Sequence, residues 1–218
     1  MILQTKQAAK NVGEKYRFLA MQKDFSLSVL SGVLFFLGCV YANFLAETYA
    51  LKHASNAVSD IVLSNIRVFD VDGIFIYGTF LFVALTGFLS FSEPRRIPFM
   101  LKSIGLFVFV RAVFMSLTHI GPYPAQLEIT SALLNRFSLG GDLFFSGHTG
   151  MPFLVALIFW ENIRLRILFI AASIFFGVLV LLAHLHYSID VLAAFFITYA
   201  IYRMAEIFFK KDREFFRM

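Results

Sequence analysis

FSLSVLSGVLFFLGCVYANFLA, the run from Phe25 to Ala46, carries no formal charge along its whole length. A helix rises about 1.5 Å per residue, so roughly 20 apolar residues cross the ~30 Å hydrocarbon core of a bilayer. The stretch therefore predicts a membrane-spanning helix, in spite of Gly32 and Gly38. Composition outside it agrees. Of 218 residues 59% are hydrophobic and only 15% charged, whereas a soluble domain charges about a quarter of its positions. The apolar residues form uninterrupted blocks rather than amphipathic stripes, which identifies an integral membrane protein without a sizeable soluble domain.

Further spans are expected from Gly73 to Ser92, Ile97 to Thr118, Phe144 to Trp160, Ile167 to Ala183 and Tyr187 to Phe208. The expected fold is all-α, a polytopic bundle of six transmembrane helices over 25–208. A cytoplasmic arm (1–24) precedes it and a short cytoplasmic tail (209–218) follows. The arm has no small-residue cleavage site, so the first span reads as an uncleaved anchor. Leu3, Val12, Tyr16 and Leu19 trace a weak helical stripe, and the arm reads either as a surface helix or as a plain tail. Residues 47–72 read as a polar loop of mixed sign, and Glu93-Pro94-Arg95-Arg96 as a tight basic turn.

The net charge of +5 could point to nucleic acid. The basic residues instead flank the apolar blocks and form no patch with interleaved aromatics, so no nucleic-acid partner is expected. Lys6, Lys10, Lys15, Arg17 and Lys23 lie in the arm, and Arg95, Arg96 and Lys102 at the second turn. Arg164 and Arg166 lie at the fourth turn, and Arg203, Lys210, Lys211, Arg213 and Arg217 at the C-terminal end. Only Lys52, Arg67, Arg111 and Arg136 fall on the other side. Basic residues mark the cytoplasmic side, so both termini are expected there. The polar stretches 140–150 and 184–190 then share the external, periplasmic or luminal, face. The lone Cys39 supports neither a disulfide framework nor a thiolate metal site.

Those two stretches concentrate the ionisable residues that are costly at a membrane margin and therefore mark function. His186 and Asp190 are four apart, a spacing that puts both on one helical face within hydrogen-bond reach. A carboxylate so placed fixes an imidazole tautomer and stabilises it when charged, which makes His186 a candidate nucleophile. A simple polar pair at a helix start is the alternative. His148 stands between Ser146-Gly147 and Thr149-Gly150, where small residues let a backbone approach a ligand and helix N-terminal amides favour an anion. It is a candidate proton donor and acceptor, with Ser146 and Gly147 candidate substrate contacts. A metal site on His184, His186 and Asp190 would lack a further paired ligand motif, so no metal and no cofactor is expected. A serine hydrolase on Ser146 lacks the Gly-x-Ser-x-Gly elbow. The 29 phenylalanines read as lipid-facing and interhelical packing.

Ser146-Gly147-His148 followed by His186-x-x-x-Asp190 resembles the type-2 phosphatidic acid phosphatase superfamily. The fuller wording from Gly141 to Thr149 and from Leu182 to Val191 is similar to the two catalytic motifs of sphingomyelin synthases and their relatives. Arg111, with Thr118 seven residues later and prolines soon after, is similar to a third motif of that branch. The resemblance runs from about Ile97 to Arg203. It implies six spans and a phosphohistidine intermediate, with His186 as nucleophile, Asp190 as its orienter and His148 as acid and base. Arg111 and Asp142 would set the phosphate or head group. A snorkelling role for Arg111 and a helix-cap or loop role for Asp142 stay open.

The lipid phosphatases of the superfamily carry a Lys-x6-Arg-Pro motif, a proline before Ser-Gly-His and an arginine upstream of the second histidine. This chain has no such lysine motif, Phe145 in place of the proline and Val180 in place of the arginine. Ala54 to Asp60 lacks the proline-rich motif of the synthase branch. Fewer cations imply a weaker grip on a dianionic monoester and favour a phosphodiester or a zwitterionic head group. The expected activity is head-group phosphotransfer on a membrane lipid, with a phospholipid, sphingolipid or diacylglycerol as partner. A lipid phosphate phosphatase and a catalytically silent membrane scaffold are the alternatives.

Overall fold

The computed structural model describes residues 13–124 and 144–217, which are helical throughout with irregular connections and no strand among them. The long helices are α1 (Lys23–Lys52), α2 (Asp72–Ser92), α3 (Ile97–Leu117), α4 (Gly147–Ile158), α5 (Ile163–Leu182) and α6 (Ser188–Phe208), with a short α7 (Lys210–Glu214) after them. Five of these, α1, α2, α3, α5 and α6, are long and apolar enough to cross a bilayer. The chain is an integral membrane protein on that ground.

α4 differs from the expected span. It begins at Gly147 and stops at Ile158 after 12 residues, about 18 Å at the helical rise. That falls short of the hydrocarbon core, and protein rather than lipid covers its end. Arg96 Nη1 donates to Ile158 O at 2.8 Å, filling a carbonyl that the last helical turn leaves open. The same guanidinium lies 5.0 Å over the ring of Phe159. Buried Leu154, Val155, Ala156, Leu157 and Ile158 place α4 in the main core with Phe107 of α3, Phe169 of α5 and Ile201 of α6.

Two other boundaries move. α1 continues through Glu47 to Lys52, so the loop begins one and a half turns later than residue 47. Backbone bonding overrides the charges there, because they lie beyond the apolar run rather than within it. α5 starts at Ile163, where Asn162 Oδ1 accepts from the amides of Arg164 and Leu165, a cap that hydropathy does not register. α1 packs along α3 through Ala46, Ala112 and Met115, whereas α2 is peripheral and buries only Phe75.

One end of the bundle gathers the basic turns. Lys102 pairs with Asp212 of α7 at 2.9 Å, and Phe25 meets Phe215 edge-on at 5.3 Å. Residues 13–20 are helical. They pack here, with Leu19 buried and Tyr16 donating to Phe91 O at 3.1 Å, rather than lying apart as a tail.

Candidate active site

The opposite end carries both histidine motifs, each at the start of a helix. Ser146 is the N-cap of α4: its Oγ accepts from Thr149 N at 3.3 Å and from the Thr149 hydroxyl at 3.1 Å. The cap holds His148 in the first turn. Gly150 follows where no side chain fits, since a Cβ would lie 2.7 Å from Thr198 Oγ1 and 2.8 Å from the Phe107 ring. Glycine there lets α4 press against α3 and α6.

α6 is capped by its own aspartate. Asp190 Oδ2 accepts from Tyr187 N at 3.0 Å and lies 3.6 Å from His186 Nδ1. That second distance is an ionic contact rather than a hydrogen bond, and such geometry often tightens only with substrate bound. Both side chains are almost wholly buried. With Nδ1 facing the carboxylate, Nε2 is the ring nitrogen of His186 turned away from it.

The motifs are joined directly, because Ser146 N donates to Asp190 O at 3.2 Å. Arg111 comes from α3, buried, and its Nε donates to Phe145 O at 2.9 Å, bracing the backbone just before the α4 cap. His148 lies within electrostatic range of His186 and of Arg111, as Arg111 does of Asp190 and Glu47. A cavity of about 250 Å³ is lined by Phe82, Phe107, Met151 and Phe176 together with Arg111 and His148. The His148 ring also packs on Phe75, centroids 4.6 Å apart.

Of the residues singled out in the sequence, His148, His186, Asp190, Arg111, Ser146 and Gly147 gather here. The Ser146 side chain is engaged as a helix cap. Asp142 lies outside the described residues. Among the described residues no three His, Cys, Asp or Glu side chains group as a metal site.

Two carboxylates escape the sequence reading. Glu47 is 5% exposed on the last turns of α1, and its only sequence signal is its position just past an uncharged block. Asp60, 7% exposed, belongs to a strap over 53–71 that crosses this end. Its Oδ2 accepts from Ser188 N at 2.7 Å and from the Ser188 hydroxyl at 2.9 Å. Its Oδ1 accepts from Val62 N and Leu63 N. The strap also pairs with the segment after α3, Ser55 N donating to His119 O at 2.7 Å and Gly121 N to Asn56 O at 3.2 Å. A Cβ at Gly121 would lie 2.2 Å from Ser55 O. Tyr187 closes the set, donating to Gly121 O at 2.9 Å and accepting from Val58 N at 3.3 Å.

No curated protein and no solved structure matches the chain. Residues 140–207 match the family model described as PAP2 superfamily C-terminal. That match spans both histidine motifs and most of α6, so this part of the chain is similar to the C-terminal part of the PAP2 superfamily.

Proposed function

We propose that this protein is a membrane lipid head-group phosphotransferase of the sphingomyelin synthase-like kind, working on a phosphodiester through a phosphohistidine. The observation that carries the reading is the buried His186–Asp190 pair, hydrogen-bonded through the Asp190 carbonyl to the turn that opens α4 with His148. Nε2 of His186 attacks phosphorus, and the P–O bond to the leaving alcohol breaks as His148 supplies its proton. His148 then takes the proton of a second alcohol, whose oxygen attacks phosphorus and breaks the P–N bond. Asp190 stabilises the imidazolium in both halves. Arg111 and Asp142 set the phosphate or head group, and the turn at Ser146 and Gly147 receives it. The cavity shared by Arg111, His148 and three phenylalanines suits an amphiphile whose tail stays apolar. In this reading the short α4, its C-terminal end covered by Arg96 rather than lipid, counts as the fourth of six spans in a membrane domain over 25–208 between a cytoplasmic arm and tail, and the site lies on the external face.

The test gives detergent-solubilised wild type and His186→Ala labelled lipid phosphomonoesters and phosphodiesters, with and without diacylglycerol or ceramide. A new phospholipid should appear only with the acceptor and fall at least about a thousandfold in the variant. Inorganic phosphate from monoesters alone would make the protein a lipid phosphatase. No histidine-dependent product from a folded protein would make it a silent scaffold.

A further inference from the structure

α5 ends in a Schellman turn. Leu185 N donates to Val180 O at 2.9 Å and His184 N to Leu181 O at 3.0 Å. The pattern forces the residue between them into the left-handed region, and His184 sits there at φ 55°. Glycine is the usual occupant, because a Cβ crowds the backbone in that conformation. His184 is also 3% exposed, and neither of its ring nitrogens has a hydrogen-bond partner among the described residues. Tyr123 packs edge-on against it at 5.2 Å and also meets Tyr187 at 6.0 Å.

A neutral imidazole carries one donor and one acceptor, and here both are withdrawn from water and idle. Two independent costs thus fall on one residue, two positions before His186. Glycine would relieve the backbone and an apolar side chain would relieve the ring, so the fold itself gains nothing from histidine. Strain and unsatisfied polarity on the same side chain at a site mark a contact completed by a ligand.

We infer that His184 is a substrate-contacting residue, whose ring N–H donates a hydrogen bond to an oxygen of the phosphorylated polar head bound at His186. This rests on the phosphotransfer reading above. His184 takes no part in bond making, so its loss weakens transfer without abolishing it.

The experiment compares kcat/KM and thermal unfolding for wild type, His184→Gly and His186→Ala in the same lipid assay. His184→Gly should melt at or above the wild-type temperature and lose about tenfold in kcat/KM, the effect of one hydrogen bond to a charged group. A loss under about fivefold, or a loss accompanied by a lower melting temperature, overturns the inference. If the glycine variant does not fold, His184→Leu, which fills similar space but has no N–H to donate, is read by the same two measures. Wild-type rates in His186→Ala would remove the underlying reading itself, a failure that does not depend on position 184.

Discussion

Asp60 and Ser188 are 128 residues apart in sequence, yet the carboxylate of one caps the helix begun by the other. Burial pushes the Asp60 carboxyl upward, but donation from Leu63, from the Ser188 amide and hydroxyl and from Val62 outweighs it and holds the group below the ordinary carboxylate range. A folded state that keeps the group charged binds its proton less readily than the unfolded chain. The stabilisation is therefore complete above the unfolded value of about 3.9 and is lost as pH falls through the lower folded value. Asp60→Asn should lower stability by about 1–3 kcal/mol near neutrality. Thermal unfolding of the two proteins between about pH 6 and pH 3 should show the gap closing on acidification, and a constant gap would remove the carboxylate from the strap's stability. The His186–Asp190 pair was legible in the sequence from its four-residue spacing, although His186 stands just before the α6 cap at Tyr187 rather than within the helix. Asp60 was not, because its partner is set by packing.

At the scale of elements, α4 decides how the motifs meet. Its N-terminal half presses into α3 and α6 at Gly150, and Arg96 covers its C-terminal end. Gly150→Ala should destabilise by about 1–3 kcal/mol, since a methyl would have to displace the Phe107 ring and the Thr198 hydroxyl. Lower melting together with reduced transfer is the expected result, and wild-type values for both would show that the helices have slack there. The sequence correctly identified an apolar segment here but set its ends at Phe144 and Trp160. Hydropathy counts side chains, whereas a helix ends where its backbone groups find other partners: the Ser146 cap at one end and Arg96 at the other.

For the molecule as a whole, the end remote from the histidines is held by the C-terminal segment. Asp212, nearly buried, pairs with Lys102 and also accepts from the Ser28 hydroxyl, tying α7 to α3 and α1. Phe216 packs edge-on against Phe99 at 5.5 Å. Removing one charge leaves the other buried and unpaired, so Asp212→Ala should cost about 3 kcal/mol, while Lys102→Met with Asp212→Leu should regain most of it. Denaturation in detergent would measure both, and equal losses in the single and double variants would refute the account. By itself the sequence determined the membrane class, the order of the apolar blocks and the two histidine motifs, because hydropathy and helical spacing are local properties readable along the chain. Only the tertiary structure decided that Asp60 caps α6, that Arg96 closes α4, that Glu47 approaches Arg111 and that His184 carries an unsatisfied ring on left-handed backbone. Each depends on groups brought together by packing, and no local pattern encodes a distance across the bundle.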